Sequence, residues 1–118
     1  MITLKTLPQA TEQEVFDQVV NHLLTQGERS SSDIDGDCRY RYKDLKCAAG
    51  CLVSKEEYKE VFEGWTWPDL VRDHGVSENH EELIGDLQDI HDGTDPEFWE
   101  FALSELSAEY SLKFNYKS

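Results

Sequence analysis

The chain has 118 residues and a mass of 13.6 kDa, the size of one domain. Its 25 Asp and Glu against 11 Lys and Arg give a formal net charge of −14, which disfavours direct binding to nucleic acid, because phosphate contacts need a basic surface. Three Trp, five Tyr and five Phe supply bulk for a modest core, and no run approaches the ~18 apolar residues of a membrane span. The opening Met1-Ile2-Thr3-Leu4-Lys5 lacks the apolar stretch of a secretory signal. Three cysteines, an odd number, argue against a disulfide framework and for a reducing compartment, the cytoplasm.

In chain order, residues 2–7 alternate loosely and read as a short strand or an ordered arm. Thr11-x-x-Glu14 is a capping box, whose hydroxyl and carboxylate satisfy orphan amides at a helix start. Val15, Phe16, Val19, Val20 and Leu23 follow at helical spacing and Gly27 supplies a stop. Residues 28–37 read as a surface loop. Cys38-Arg39-Tyr40-Arg41-Tyr42 reads as a strand, with a turn near Lys43-Asp44. The small run Cys47-Ala48-Ala49-Gly50-Cys51 lets another backbone approach closely. Ser54-x-x-Glu57 predicts a second capped helix ending near Gly64, and Thr66 a short one ending at Gly75. Ser77 predicts a longer helix through about His91, and Thr94 or Asp95 a last one to about Tyr110. Leu112, Phe114 and Tyr116 alternate, so a closing strand is expected. The expected fold class is α+β: a mostly helical single domain of about five helices, with a small antiparallel sheet built from the 38–42 strand and one or both termini.

The acidity is segregated. Between Glu60 and Glu109 stand 15 acidic residues and a single base, Arg72, while the rest of the chain is neutral. On a helical wheel Glu78, Glu81, Glu82, Asp86, Asp89 and Asp92 fall within about 80° of one direction, opposite Leu83, Leu87 and Ile90. None of these acids has a basic partner one turn away, so each like-charged pair costs a few tenths of a kcal/mol. The plain reading is a solvated face; the sharper one is a one-signed field that attracts a basic partner. On the last helix, Phe98 and Phe101 fall towards the side that carries Glu105. They are either covered by another element or stand as apolar anchors in an acidic rim.

Motifs for chemistry are sparse. Cys38, Cys47 and Cys51 with one of His74, His80 or His91 would suit a tetrahedral zinc site, but the second short ligand pair of such sites is missing. Asp33-Ile34-Asp35-Gly36-Asp37 has calcium-loop character, yet Cys38 takes the place of the turn glycine and Asp44 that of the bidentate Glu. It reads as a solvated acidic turn. There is no phosphate-binding glycine loop and no nucleophile elbow. No metal or cofactor is expected.

The segment Cys38-Arg39-Tyr40-Arg41, the run Leu45-Lys46-Cys47-Ala48-Ala49-Gly50-Cys51-Leu52-Val53 and the stretch Asp86-Leu87-Gln88-x-Ile90-His91-Asp92 resemble a family of small proteins frequently encoded by bacteriophages and also found in bacteria. The resemblance covers residues 13 to about 99. The chain departs from it at Tyr42-Lys43-Asp44, where the family has a glycine-containing turn. No activity or cofactor comes with it; it implies a phage-like origin and, with that, a small protein that binds and modulates a host protein.

The sequence thus predicts a non-enzymatic acidic protein that binds a basic protein surface, such as that of a host nucleic-acid-binding protein, in the manner of a host-takeover or anti-defence inhibitor. The residues expected to carry it are Glu78, Glu81, Glu82, Asp86, Asp89 and Asp92, with Phe98 and Phe101 as anchors. The rival expectation is a small metal-binding or thiol-dependent enzyme using Cys38, Cys47, Cys51 and a histidine.

Overall fold

The Thr11 hydroxyl accepts from Glu14 N–H while the Glu14 carboxylate accepts from Thr11 N–H, so both bonds of the expected capping box are made. They start α1 (Glu12–Gln26), which ends on Gly27 in the left-handed region (φ 72°). In this computed structural model, which describes residues 1–116, there follow β1 (Arg41–Tyr42), β2 (Leu45–Lys46), α2 (Trp67–Asp73), α3 (Glu81–Gly93) and α4 (Trp99–Glu109), with one 3-10 turn before α1 and three between the later elements. The class is α+β and mostly helical, with four α-helices rather than five. No described helix is long and apolar enough to cross a membrane.

The core is built around α1, whose stripe Val15, Phe16, Val19, Val20 and Leu23 is fully buried. α1 packs against α3 and α4, and α2 packs against α3. Leu83, Ile84 and Leu87 of α3, Trp99 and Leu103 of α4, and Trp67 and Leu70 of α2 fill the space between them. Each of these elements buries one apolar face and leaves the other to water, as the 3.6-residue period of its sequence requires.

The small-residue run behaves as its composition demands. A Cβ on Gly50 would collide with the carbonyl oxygen of Tyr40, so only glycine lets these two backbones meet. Cys47 N–H donates to that same carbonyl at 3.3 Å, and Cys47, Ala48 and Ala49 are buried. Residues 50–52 form a 3-10 turn.

The sheet and two local expectations need correction. Among the described residues neither end of the chain joins the sheet, which is the hairpin pairing Arg41 with Lys46 and Tyr42 with Leu45. The termini are held instead by glutamine side chains of α1. Gln18 both accepts from Ile2 N–H and donates to Ile2 carbonyl, at 2.7 and 2.9 Å, and Gln13 does the same for Lys113 at 2.9 and 2.9 Å. A primary amide satisfies one residue's donor and acceptor as a neighbouring strand would. Phe114 packs edge-on against Phe16.

The Ser54–Glu57 box forms, yet no helix follows, only a turn and then the 3-10 turn Glu60–Phe62. Glu57 also accepts from Leu4 N–H and Lys5 N–H, at 2.9 and 3.0 Å. Glu63 likewise takes Tyr40 N–H, Arg41 N–H and the Tyr58 hydroxyl. These long-range demands leave Lys59 extended and override the local helical preference.

Ser77 does not open α3. Its hydroxyl accepts from Asn79 N–H at 3.2 Å, a local turn that competes with capping. His80 then sits in the left-handed region (φ 61°), with Nε2 bonded to Ala10 carbonyl at 2.7 Å, and the helix begins at Glu81. Glu78 therefore stands in the lead-in loop and not on the helical face.

Candidate functional site

The outward face of α3 does not look into open solvent along its whole length. Opposite it lie residues 37–40, which lead into β1, and residues 64–68 at the start of α2. Between them runs a cleft of about 1060 Å³. Five of the six predicted carboxylates, Glu81, Glu82, Asp86, Asp89 and Asp92, line this cleft. Asp37 joins them from the far wall, as do Trp65 and Trp67. Glu78 is exposed in the loop before α3, and Phe98 and Phe101 are exposed at 56% and 68% but do not line the cleft.

The helix is fixed to that floor by its inner residues. Gln88 Oε1 accepts from Ala49 N–H at 2.9 Å, tying α3 to the small-residue run, while its Nε2 donates to Asp92 at 2.8 Å. Tyr110 of the segment after α4 donates its hydroxyl to Asp86 at 2.6 Å. Asp89 has neither kind of help. Partial desolvation against the protein, with the charges of Asp86 and Asp92 one turn to either side, raises its carboxyl pKa above the ordinary value.

Bases offset the acidity less than they adorn its edges. Arg72 is tied to Asp69 and Asp73 at 2.8 and 3.0 Å. Arg39 lines the cleft but is held by Asp35 at 2.7 Å. Arg29 comes from far along the chain to donate to the His91 carbonyl at the C-terminal end of α3 and to Asp95. In the acidic turn, Asp33 pairs with Lys43 and Asp35 with Arg39, so both carboxylates have protein partners.

Among the described residues one trio of potential metal ligands converges: Cys38, His91 and Asp92, with atoms within 4.8 Å of one another. Cys47 and Cys51 are not in it. The imidazole of His91 is fully buried and stacks on Trp99 at 5.5 Å. Its Nε2 accepts from Ser30 N–H at 3.0 Å, which puts the ring proton on Nδ1, where it is donated to Asp92 at 2.7 Å. Both nitrogens are thus committed, and a metal on Nδ1 would force a proton onto Nε2 against the Ser30 N–H. The thiols are held protonated. Burial and the neighbouring Asp92 carboxylate push Cys38 up to about 11; burial pushes Cys51 up to about 12 and Cys47 higher still. Nucleophilic cysteines have the reverse environment.

Comparison with protein-family models, with curated proteins and with solved structures finds no match. The site therefore rests on its own geometry. Sequence reasoning missed the far wall of the cleft. Trp65 and Trp67 stand either side of the cap at Thr66, yet Trp67 is 1% exposed and buried in the core, whereas Trp65 is 47% exposed at the cleft. Only the contact of α2 with α3 separates their roles.

Proposed function

We propose that the protein is a non-enzymatic acidic binder of a basic protein surface, and that the carboxylate face of α3 is its contact. One observation carries this reading: five carboxylates of one helix line a single cleft in which the one base among the described residues, Arg39, is already paired. A face needed merely for solubility gains nothing from leaving out every Lys, and incurs the repulsion registered at Asp89.

The spacing fits a nucleic-acid site as the surface being occupied. Glu81 to Asp92 spans about 17 Å at ~1.5 Å per residue, so five carboxylates give one negative charge per ~3–4 Å. That is near the ~3.4 Å of one nucleic-acid strand and about half the density of a duplex. A few phosphates of one strand are what such a helix imitates. With the phage-like origin that the Cys38–Val53 resemblance implies, the natural form is an inhibitor that takes a host protein's strand-binding site. The compartment is then the host cytoplasm.

The test is the association rate, against salt, of a partner captured from host lysate. Wild type is compared with the Glu82→Lys/Asp89→Lys variant; Asp86 is spared because it holds Tyr110. Steered association falls with ionic strength. A rate lowered by about tenfold or more at low salt, with a flattened salt slope, is the expected result. Equal rates and slopes for the two proteins leave the acidic helix as a wet surface and end the proposal.

A further inference from the structure

Within that reading, on which it rests, the geometry points to the groove between α3 and α4 as the seat of a basic amphipathic helix of the partner.

The surface starts from two aromatic rings left to water. Phe98 and Phe101 stand 56% and 68% exposed. Phe98, at the cap of α4, lies one turn before Ala102, and Phe101 one turn before Glu105, so both rings continue one face of that helix. Along this face Ala102 and Leu106 meet Ile90 of α3 and line a groove of about 320 Å³ between the two helices. From Phe98 to Leu106 the apolar strip runs about 12 Å at ~1.5 Å per residue. A docked helix sets its anchors at i, i+3 or i+4 and i+7, over about the same length. An extended segment fits less well, because the backbones of α3 and α4 are bonded within each helix and offer a strand no edge to pair with.

The rims select which helix. Asp86 and Asp89 stand on the α3 side of the groove and Glu105 and Glu109 on the α4 side, with no Lys or Arg among the described lining residues. A second copy of the chain is the wrong occupant. A two-fold contact sets a patch against itself, so these carboxylates would face their own kind as water left the interface. A helix with an apolar stripe between rows of Lys or Arg matches the floor and both rims. Asp86 and Asp89 also line the cleft on the other side of α3, so the groove adjoins the carboxylate face already given to the partner.

The probe is an amphipathic Leu–Lys peptide of about 14 residues, four turns at ~3.6 residues each, with leucines at i, i+3, i+4 and i+7. A scrambled peptide of the same composition cannot gather its leucines on one face and serves as the control. Each is titrated into the full chain by calorimetry and by NMR of the methyl groups, below the concentration at which the peptide self-associates. Wild type is expected to bind one amphipathic peptide per chain, about tenfold or more tighter than the scrambled one, with the Ile90 and Ala102 methyl signals shifting. Phe98→Ser/Phe101→Ser, at exposed positions that spare the core, weakens binding about tenfold and leaves its salt dependence unchanged. Glu105→Gln/Glu109→Gln weakens it about fivefold at low salt and lowers the salt dependence. Ile34→Ser/Val61→Ser, at apolar residues exposed elsewhere on the surface, leaves it within about twofold. Equal affinity for the scrambled peptide, stationary Ile90 and Ala102 methyls, or equal losses in the two serine double variants overturns the assignment. So does a wild-type dimer that Phe98→Ser/Phe101→Ser abolishes, since a second copy then fills the groove. Each of these leaves the binding of a basic protein standing, because that reading fails only on its own measurement, the salt dependence of partner association.

Discussion

Gln18 holds the backbone of Ile2 from both sides, accepting from its N–H at 2.7 Å and donating to its carbonyl at 2.9 Å. Gln13 holds Lys113 and Gln26 holds Lys46 by the same two-point contact. Three glutamines of one helix thus dock three separate segments: the N-terminal arm, the C-terminal segment and the hairpin. Replacing Gln18 by Leu strands both groups of Ile2 and is expected to cost about 1–3 kcal/mol. Gln13→Leu should cost less, about 0.5–1 kcal/mol, because both groups of Lys113 are exposed and water takes the place of the amide. Because the two sites hold different segments, their effects in urea denaturation should add to within about 0.5 kcal/mol.

Glu57 is the matching device in carboxylate form. Burial raises its pKa, but the N–H groups of Ser54, Leu4 and Lys5 together outweigh that and leave it below the ordinary value of 4.5. The folded carboxylate binds its proton less readily than the unfolded one. Its contribution to stability is therefore fully present above about pH 4.5 and is lost as pH falls through the depressed folded value. Glu57→Gln should destabilise the protein at neutral pH and flatten the acid limb of a stability–pH curve. An acid limb identical to that of wild type would show that Leu4 and Lys5 are held by something else.

What was legible in the sequence follows the range of the forces involved. The Thr11–Glu14 box, the helix cap at Thr66 and the buried stripes of α1 and α3 depend on neighbours within a turn, and the structure has them. Ser54–Glu57 makes the same local bonds but is claimed by an arm more than fifty residues away, which no local pattern reports. The acidic face of α3 was readable because periodicity alone sets it. Trp65, the wall that turns this face into a cleft, was not, since its placement depends on how α2 meets α3. At the hairpin turn Lys43 has φ 56°, a left-handed conformation that glycine adopts without strain and that no local pattern around Lys43 announces.

Gly50 tests the close approach beneath the cleft floor. Any side chain there must push against the Tyr40 carbonyl and Cys47 Sγ, both in the core and neither able to swing away cheaply. Gly50→Ala should cost about 3 kcal/mol or more and displace the segment that carries Tyr40 into β1. Ala48→Gly, by contrast, removes only a buried methyl and should cost about 1 kcal/mol. Denaturant midpoints for the two variants decide the matter; comparable small losses would mean that the two backbones have room to part.

Asp89 separates stability from binding. Partial desolvation first, then Asp86 and Asp92, raise its pKa above the ordinary 3.8, so the folded state holds this proton more tightly than the unfolded chain. The sign is opposite to that of Glu57: as pH rises through 3.8 towards the raised value, stability is lost, and the penalty persists at neutral pH. Asp89→Asn removes it. The side chain is exposed, so solvent screening limits the gain to a few tenths of a kcal/mol. Thermal melts at low salt should rise slightly for Asp89→Asn at pH 7 and show no gain at pH 3, where wild type is protonated too. High salt should shrink the gain, since screening weakens the repulsion that causes it. The same variant should bind the basic partner more weakly. A substitution that stabilises the fold while weakening binding is the signature of a charge kept for its partner. If Asp89→Asn instead binds as well as wild type, the crowding of carboxylates on α3 has no use in recognition.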